Sequence, residues 1–229
     1  MLSGGTKFKD RTDAGCRLAQ ALTRFAGAKP LVLALPRGGV PVAFEVAKVL
    51  HAPLDLLLVR KIGAPGHAEY GIGAVVDGAN PQLVLNDEAF AVVRPSPQYV
   101  EAETKRQLEV IERRRKLYFG DRPAVSVSGR TVIVIDDGIA TGGTVRAALK
   151  ALRKDGAAHI VLAVPVAPPE SLALVGKDAD ETICLSTPDL FVAVGNHYET
   201  FDQTSDGEVI QLLREAERLG SSEAEERRR

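Results

Sequence analysis

Short apolar runs alternate with longer amphipathic segments along this chain. The runs are rich in Val, Ile and Leu, which is typical of strands buried on both faces of a parallel sheet. In the longer segments apolar residues recur three or four positions apart, as Val145, Leu149 and Leu152 do, which favours helices. The runs predict strands over residues 31–35, 54–59, 71–76, 131–135, 160–164 and 181–185. The amphipathic segments predict helices over residues 10–26, 41–50, 99–118, 143–154, 169–176 and 206–219.

The order of these elements predicts the fold class. Strands that alternate with helices imply βαβ units and an α/β fold built on a mostly parallel sheet. Residues 71–76 are the exception and are expected to form an antiparallel arm. We predict one domain, with a core over about 28–180, a further segment over 181–205, a C-terminal helix over 206–219 and a disordered tail over 221–229.

Composition narrows the classes of protein. The chain has 229 residues, of which 45% are hydrophobic and 26% charged, as expected for a soluble globular protein. Its formal net charge of −1 gives no reason to expect a nucleic-acid or membrane partner. Apolar runs stay shorter than the roughly 18 residues that span a bilayer, and the N-terminus lacks the apolar core of a signal peptide. Cys16 and Cys184 are too few for a disulfide framework, so we predict a cytoplasmic protein.

The most informative segment is TVIVIDDGIATGGTV, over residues 131–145. Ligands bind beyond the carboxyl ends of parallel strands, which is where Asp136 and Asp137 fall. Carboxylates accept hydrogen bonds from sugar hydroxyls, and a glycine-threonine loop that opens a helix suits a phosphate. The segment therefore favours a ligand with a vicinal diol and a phosphate, such as a phosphorylated ribose. A nucleotide P-loop is the competing motif, but Thr144 stands where its lysine belongs, and a tight turn without a ligand is the other alternative.

IVIDDGIATGGT is similar to the signature with which type I phosphoribosyltransferases bind phosphoribosyl pyrophosphate (PRPP). By that resemblance Asp136 and Asp137 hold the ribose 2′ and 3′ hydroxyls, and Asp137 also acts in catalysis by stabilising positive charge on the ribose. The resemblance assigns the 5-phosphate to a loop made of Ala140, Thr141, Gly142, Gly143 and Thr144.

Two further segments carry the same resemblance. ALPRGGVPVA, over 34–43, places Arg37, Gly38 and Gly39 where the family binds pyrophosphate. LLLVRKIGAPGHAEYGIGAV, over 56–75, looks like the flexible catalytic loop of adenine-type enzymes. That likeness puts Arg60 and Lys61 on pyrophosphate, makes Lys61 and Glu69 catalytic, with Glu69 as a general acid, and implies that 62–70 closes over the site. The alternatives are a plain glycine turn, a solvated strand end and a surface carboxylate.

The acceptor base is less defined. Ala140 stands where hypoxanthine-guanine enzymes carry an aspartate, which argues against a 6-oxopurine. Residues 191–201 are rich in aromatics, and Phe191, Tyr198 and Phe201 are candidates to stack on a base, with a core role as the alternative. A basic cluster over 113–116 on the long helix is either a solvated face or a contact to a phosphate.

The resemblance implies a five-stranded, mostly parallel sheet flanked by helices, with a mobile arm and a small hood. It further implies transfer of 5-phosphoribosyl from PRPP to a nitrogenous base in nucleotide salvage, with release of pyrophosphate, by a homodimer that uses Mg²⁺. The metal would have no direct protein ligand, or would reach Asp136 and Asp137 through water. Two alternatives are a regulator that binds PRPP or a nucleotide without catalysis, and a hydrolase of a phosphorylated sugar.

Overall fold

The computed structural model describes residues 7–78 and 80–226, with side chains up to 220. Seven α-helices and eight strands make up the regular structure of these described ranges, along with short 3₁₀ turns. The helices are α1 (Arg11–Leu22), α2 (Gly39–Leu50), α3 (Asp87–Val93), α4 (Pro97–Phe119), α5 (Gly143–Lys154), α6 (Pro169–Val175) and α7 (Asp206–Glu226). The strands are β1 (Leu31–Ala34), β2 (Leu54–Leu56), β3 (Val59–Ala64), β4 (His67–Val76), β5 (Gln82–Leu85), β6 (Thr131–Ile135), β7 (His159–Val166) and β8 (Glu181–Ser186).

A five-stranded parallel sheet forms the centre, in the order β2-β1-β6-β7-β8, which confirms the predicted α/β class. One core cluster joins one side of the sheet to α1, α2 and α7, and a second joins the other side to α5. Both faces are therefore covered, which explains the continuous apolar runs of the strands. Ala34 pairs with Ile135, so the loops after β1 and β6 leave the same edge side by side.

The arm differs from its prediction. The expected strand over 54–59 divides into β2 and β3, because the parallel pairing ends at Leu56 and the chain pairs with β4 from Val59 onward. Residues 62–70, expected as a mobile loop, lie in the β3–β4 hairpin, with an irregular register around Gly63. The strand β5 completes a three-stranded antiparallel sheet. Neither β5 nor α3 was predicted.

The ends of the chain also differ from expectation. The first helix stops at Leu22 and continues as a 3₁₀ turn to Ala28. The last helix, predicted to end at Leu219, runs to Glu226, so it extends into the segment expected as a tail. Residues 227–229 lie outside the described residues. Over the described ranges, every helix is too short or too polar to cross a bilayer.

Candidate active site

The acidic pair lies at the carboxyl end of β6, as predicted. Asp136 is half-buried, and its Oδ1 accepts a hydrogen bond of 2.9 Å from the backbone N–H of Asp137. Burial, and next to it the charge of Asp137, raise the pKa of Asp136 well above its usual range. Two carboxylates this close resist carrying two negative charges together. The pair therefore needs a counter-charge, which the fold provides from its N-terminal helix.

That counter-charge is Arg11, which sequence reasoning missed. Its Nε and Nη2 atoms each lie 2.8 Å from Oδ2 of Asp137. Its Nη1 donates to the carbonyl of Asp202 at 2.6 Å, and its guanidinium lies 3.9 Å from the ring centre of Phe201. Asp10 caps α1 and so fixes Arg11 as the first helical residue. No local sequence signal joins Arg11 to an acid 126 positions later.

The first loop packs directly against the acidic pair. A Cβ added at Gly38 would lie 1.9 Å from Oδ2 of Asp137, and one at Gly39 would lie 2.7 Å from the carbonyl of Ile135. Such distances leave room for glycine alone, which is the physical reason for the Gly-Gly sequence. The Pro36–Arg37 peptide bond is cis. The two loops thus share a wall, and the predicted pyrophosphate loop adjoins the predicted ribose site.

The loop after the acids suits an anion. Gly142 adopts φ +77°, a left-handed conformation that favours glycine, and α5 begins directly after it with no side-chain cap. The first N–H groups of α5 are therefore not capped by a side chain, as phosphate binding at a helix N-terminus requires. Thr141, Gly143 and Thr144 are exposed. The carbonyl of Ala140 accepts a bond of 2.6 Å from the Ser171 hydroxyl, which holds the loop against α6.

The arm residues form a separate group. Nζ of Lys61 contacts Oε2 of Glu69 at 2.9 Å and its carbonyl at 3.0 Å. The side chain of Glu69 is fully exposed, and its bond to Lys61 lowers the pKa of that carboxyl. Arg60 donates to Gln107 on α4 at 3.1 Å. Within the described residues, no hydrogen bond or ion pair joins Lys61 or Glu69 to the acidic pair, so their predicted catalytic roles require the arm to approach a bound ligand.

The aromatic segment contributes differently from its prediction. The ring of Tyr198 is only 3% exposed and lies between Phe8 and Phe201, with ring centres 5.4 and 5.0 Å away. It is therefore a core residue and has no free face for a base. Its hydroxyl instead donates to the carbonyl of Asp137 at 2.5 Å, and burial raises its pKa. Phe191 stacks on His197 at 5.2 Å. Phe201 is 37% exposed, and Arg11 covers one face of its ring.

The geometry agrees with a comparison of sequences. The sequence model of the phosphoribosyl transferase domain matches residues 11–199, from Arg11 to the segment that holds Tyr198. The chain belongs to the phosphoribosyltransferase family. The resemblance found in its loops is thereby confirmed.

Two comparisons describe proteins that are similar to this chain. A protein of Mycobacterium tuberculosis, in strains H37Rv and CDC 1551, is provisionally named a phosphoribosyl transferase and is 46% identical over 211 residues. The match covers 92% of this chain and 47% of that protein, so the chain spans about half the length of the curated relatives it matches. The crystal structure of TT1426 from Thermus thermophilus has a TM-score of 0.80 and 43% identity, over 91% of this chain and 98% of that one.

Phosphoribosyltransferase chemistry implies Mg²⁺, and the residues present fit a loosely held ion. Across the described part of the chain, no three His, Cys, Asp or Glu side chains form a metal cage. Two adjacent carboxylates are nevertheless a suitable donor set for an ion that keeps several waters and takes other oxygens from its substrate. Both bonds from Arg11 fall on Oδ2 of Asp137, so Oδ1 is the oxygen left to accept a water or a sugar hydroxyl.

Proposed function

We propose that the protein transfers a 5-phosphoribosyl group from PRPP to a nitrogenous base and releases pyrophosphate. The observation that carries the proposal is the acidic pair of Asp136 and Asp137 between two glycine loops, one of which leads into the uncapped start of α5. A ribose bound at the acids would have its 5-phosphate on the N–H groups of α5 and its pyrophosphate beside Arg37.

In the reaction the bond from the ribose C1 to the pyrophosphate oxygen breaks, and a bond from C1 to a base nitrogen forms. The bonding electron pair leaves with pyrophosphate, while positive charge develops on the ribose ring. A carboxylate of Asp137 beside that ring stabilises this charge, and guanidinium groups stabilise the departing anion. Catalysis of this kind rests on positioning and electrostatics. Mg²⁺, when bound, would neutralise charge on pyrophosphate and orient the ribose hydroxyls through Asp136 and Asp137.

The arm would act as a cover. Lys61 at its base would contact pyrophosphate. Glu69 would take up the proton that the base nitrogen releases as it bonds to C1, and would return it as a general acid to the leaving base in the reverse reaction, once ligand binding changes its contact with Lys61. Closure of 62–70 would exclude water, which otherwise hydrolyses PRPP. Phe191 and Phe201 remain the candidates to contact the base. Nucleotide salvage by a cytoplasmic homodimer is the setting in which we place this reaction.

The test is turnover of radiolabelled PRPP against a panel of purine, pyrimidine and other bases, with Mg²⁺. The double variant Asp136→Asn/Asp137→Asn is the control that lacks both charges. Turnover that depends on one base and on the two acids supports the transferase. Tight PRPP binding without turnover would instead indicate a regulator, and loss of PRPP independent of base would indicate a hydrolase. Turnover by the double variant at the wild-type rate would contradict the role of the acids.

A further inference from the structure

Three arginines from three elements are linked through two residues of α4, Gln107 and Tyr118. Arg37 follows β1, Arg60 lies at the start of β3, and Arg114 lies on α4. On α4, Arg114 shares a helical face with Gln107 and Tyr118, seven positions before it and four after it. Both of these neighbours are buried, so this face of α4 points inward.

The contacts of the two neighbours show what lies on either side of Arg114. Gln107 accepts a bond of 3.1 Å from Nε of Arg60. Tyr118 donates at 2.6 Å to Oδ1 of Asp206, and Nη1 of Arg37 lies 3.8 Å from the same oxygen. Arg114 therefore lies between a residue bonded to Arg60 and a residue linked through one carboxylate to Arg37.

Positive charge is in excess at this place. Arg114 is half-buried, and among the described residues no hydrogen bond or ion pair is found for it. The acid whose charge acts on Arg60 is Glu103, which already accepts two bonds from Arg106, at 2.7 and 2.8 Å, and one from Gln107. Burial, followed by the charges of Arg114 and Arg106, lowers the pKa of Arg60.

Half-buried cations without a carboxylate are costly, and the planar fork of arginine matches phosphoryl oxygens. In the described part of the chain Arg37 lies near Asp206 and Arg106 pairs with Glu103, whereas Arg60 and Arg114 make no ion pair, so two guanidinium groups remain for a ligand. The other residues of the basic cluster over 113–116 do not lie beside Arg60 and Arg37. Arg115 turns to Asp77, with Nη1 2.8 Å from the carboxylate, and Arg113 and Lys116 are exposed.

We propose that Arg114 completes a pyrophosphoryl-binding site with Arg37 and Arg60, so that α4 contributes directly to the active site. The inference rests on the proposed function and deepens it, because it gives the leaving group a third guanidinium from outside the loops. A pyrophosphoryl group fits better than a single phosphate, since its two linked phosphoryl units can reach separate arginines and its charge balances the excess.

The test is calorimetric titration of inorganic pyrophosphate and, separately, of ribose 5-phosphate. We compare wild type with Arg114→Ala, Arg114→Lys and the matched control Arg113→Ala, which changes an exposed neighbour on the same helix. Losing a charge-assisted arginine contact should weaken pyrophosphate binding about 10- to 100-fold in Arg114→Ala. Arg114→Lys should recover part of this, because lysine keeps the charge but not the fork. Ribose 5-phosphate binding, and both affinities in Arg113→Ala, should stay within about twofold of wild type.

Equal pyrophosphate affinity in Arg114→Ala and wild type would overturn the inference. So would an equal loss for pyrophosphate and ribose 5-phosphate, since that result means a general disturbance of the fold. Arg114→Lys keeps the test valid if the alanine variant does not fold. If wild type binds pyrophosphate through Arg114 but never turns over PRPP, the anion site stands and the proposed function fails. If PRPP turns over with an unchanged KM in Arg114→Ala, the function stands and the inference fails.

Discussion

Replacement of Arg11 by alanine should destabilise the protein strongly. Arg11 and Asp137 are only 12% and 15% exposed, and two atoms of the guanidinium contact one carboxylate oxygen at 2.8 Å. A hydrogen bond to a charged group contributes about 1.5–3 kcal/mol, and stranding a fully buried charge costs about 3–5 kcal/mol. Asp137 remains partly exposed to solvent, and the acidic pair can take up a proton, so the cost falls below that of a fully buried charge. We therefore expect a loss of about 3 kcal/mol in the free energy of unfolding at neutral pH.

The loss should depend on pH. Arg11 lowers the pKa of Asp136, so its removal moves that pKa, already raised, further above the unfolded value of about 4. An acidic group whose pKa is higher in the folded than in the unfolded protein lowers the stability of the protein as the pH rises from the unfolded-state pKa towards the folded-state pKa. The difference between wild type and Arg11→Ala should therefore be larger at neutral pH than near pH 4, where the loss of the contacts of Arg11 with Asp202 and Phe201 remains.

Urea denaturation between pH 4 and 8 measures this difference. Arg17→Ala is the matched control, because Arg17 pairs with Asp13 on the same helix but is 39% exposed. An exposed pair of this type contributes about 0.3–0.5 kcal/mol. If the two variants lose the same free energy, or if the loss in Arg11→Ala is constant over this range, our account of the acidic pair is refuted.

Three more changes test the site. Asp136→Asn should raise the free energy of unfolding at neutral pH, because the pKa of Asp136 is raised in the folded protein. In urea titrations this gain in stability should disappear below about pH 4. A gain that persists in acid would contradict the prediction. Lys61→Ala should lower kcat more than it weakens PRPP binding if the arm acts in the transition state. Steady-state kinetics and a direct binding titration measure the two effects, and an equal loss in both would contradict the prediction. Gly142→Ala should lower the free energy of unfolding by about 1–3 kcal/mol, because Gly142 has φ +77° and its added Cβ would lie 2.4 Å from Val175. Gly143→Ala is the control, because its added Cβ meets open space. Equal melting temperatures of the two variants would contradict this prediction.

Local signals in the sequence were sufficient for the central site. The bounds of β6 and α5 agree with prediction, because a β-branched run and a glycine turn mark their ends. The arm was harder, since the apolar run after Leu54 continues while the chain passes from one sheet to another. Residues that contact the acids from far along the chain, Arg11 and Tyr198, carry no pattern that links them to Asp137. The sequence also left two roles open for Tyr198, because aromatic composition does not tell a core ring from a ligand-facing one.

The strand-like contact between the two ends of the domain has a consequence for biosynthesis. Phe8 donates to the carbonyl of His197 at 2.9 Å and accepts from Glu199 at 2.8 Å, next to the Tyr198 hydroxyl that holds Asp137. The ribosome releases the acids well before residues 197–202, so for a time the acidic pair lacks the bond from Tyr198. Contacts so distant along the chain form late in folding. Competence to bind substrate should thus arise in a final step, after the rest of the core has formed.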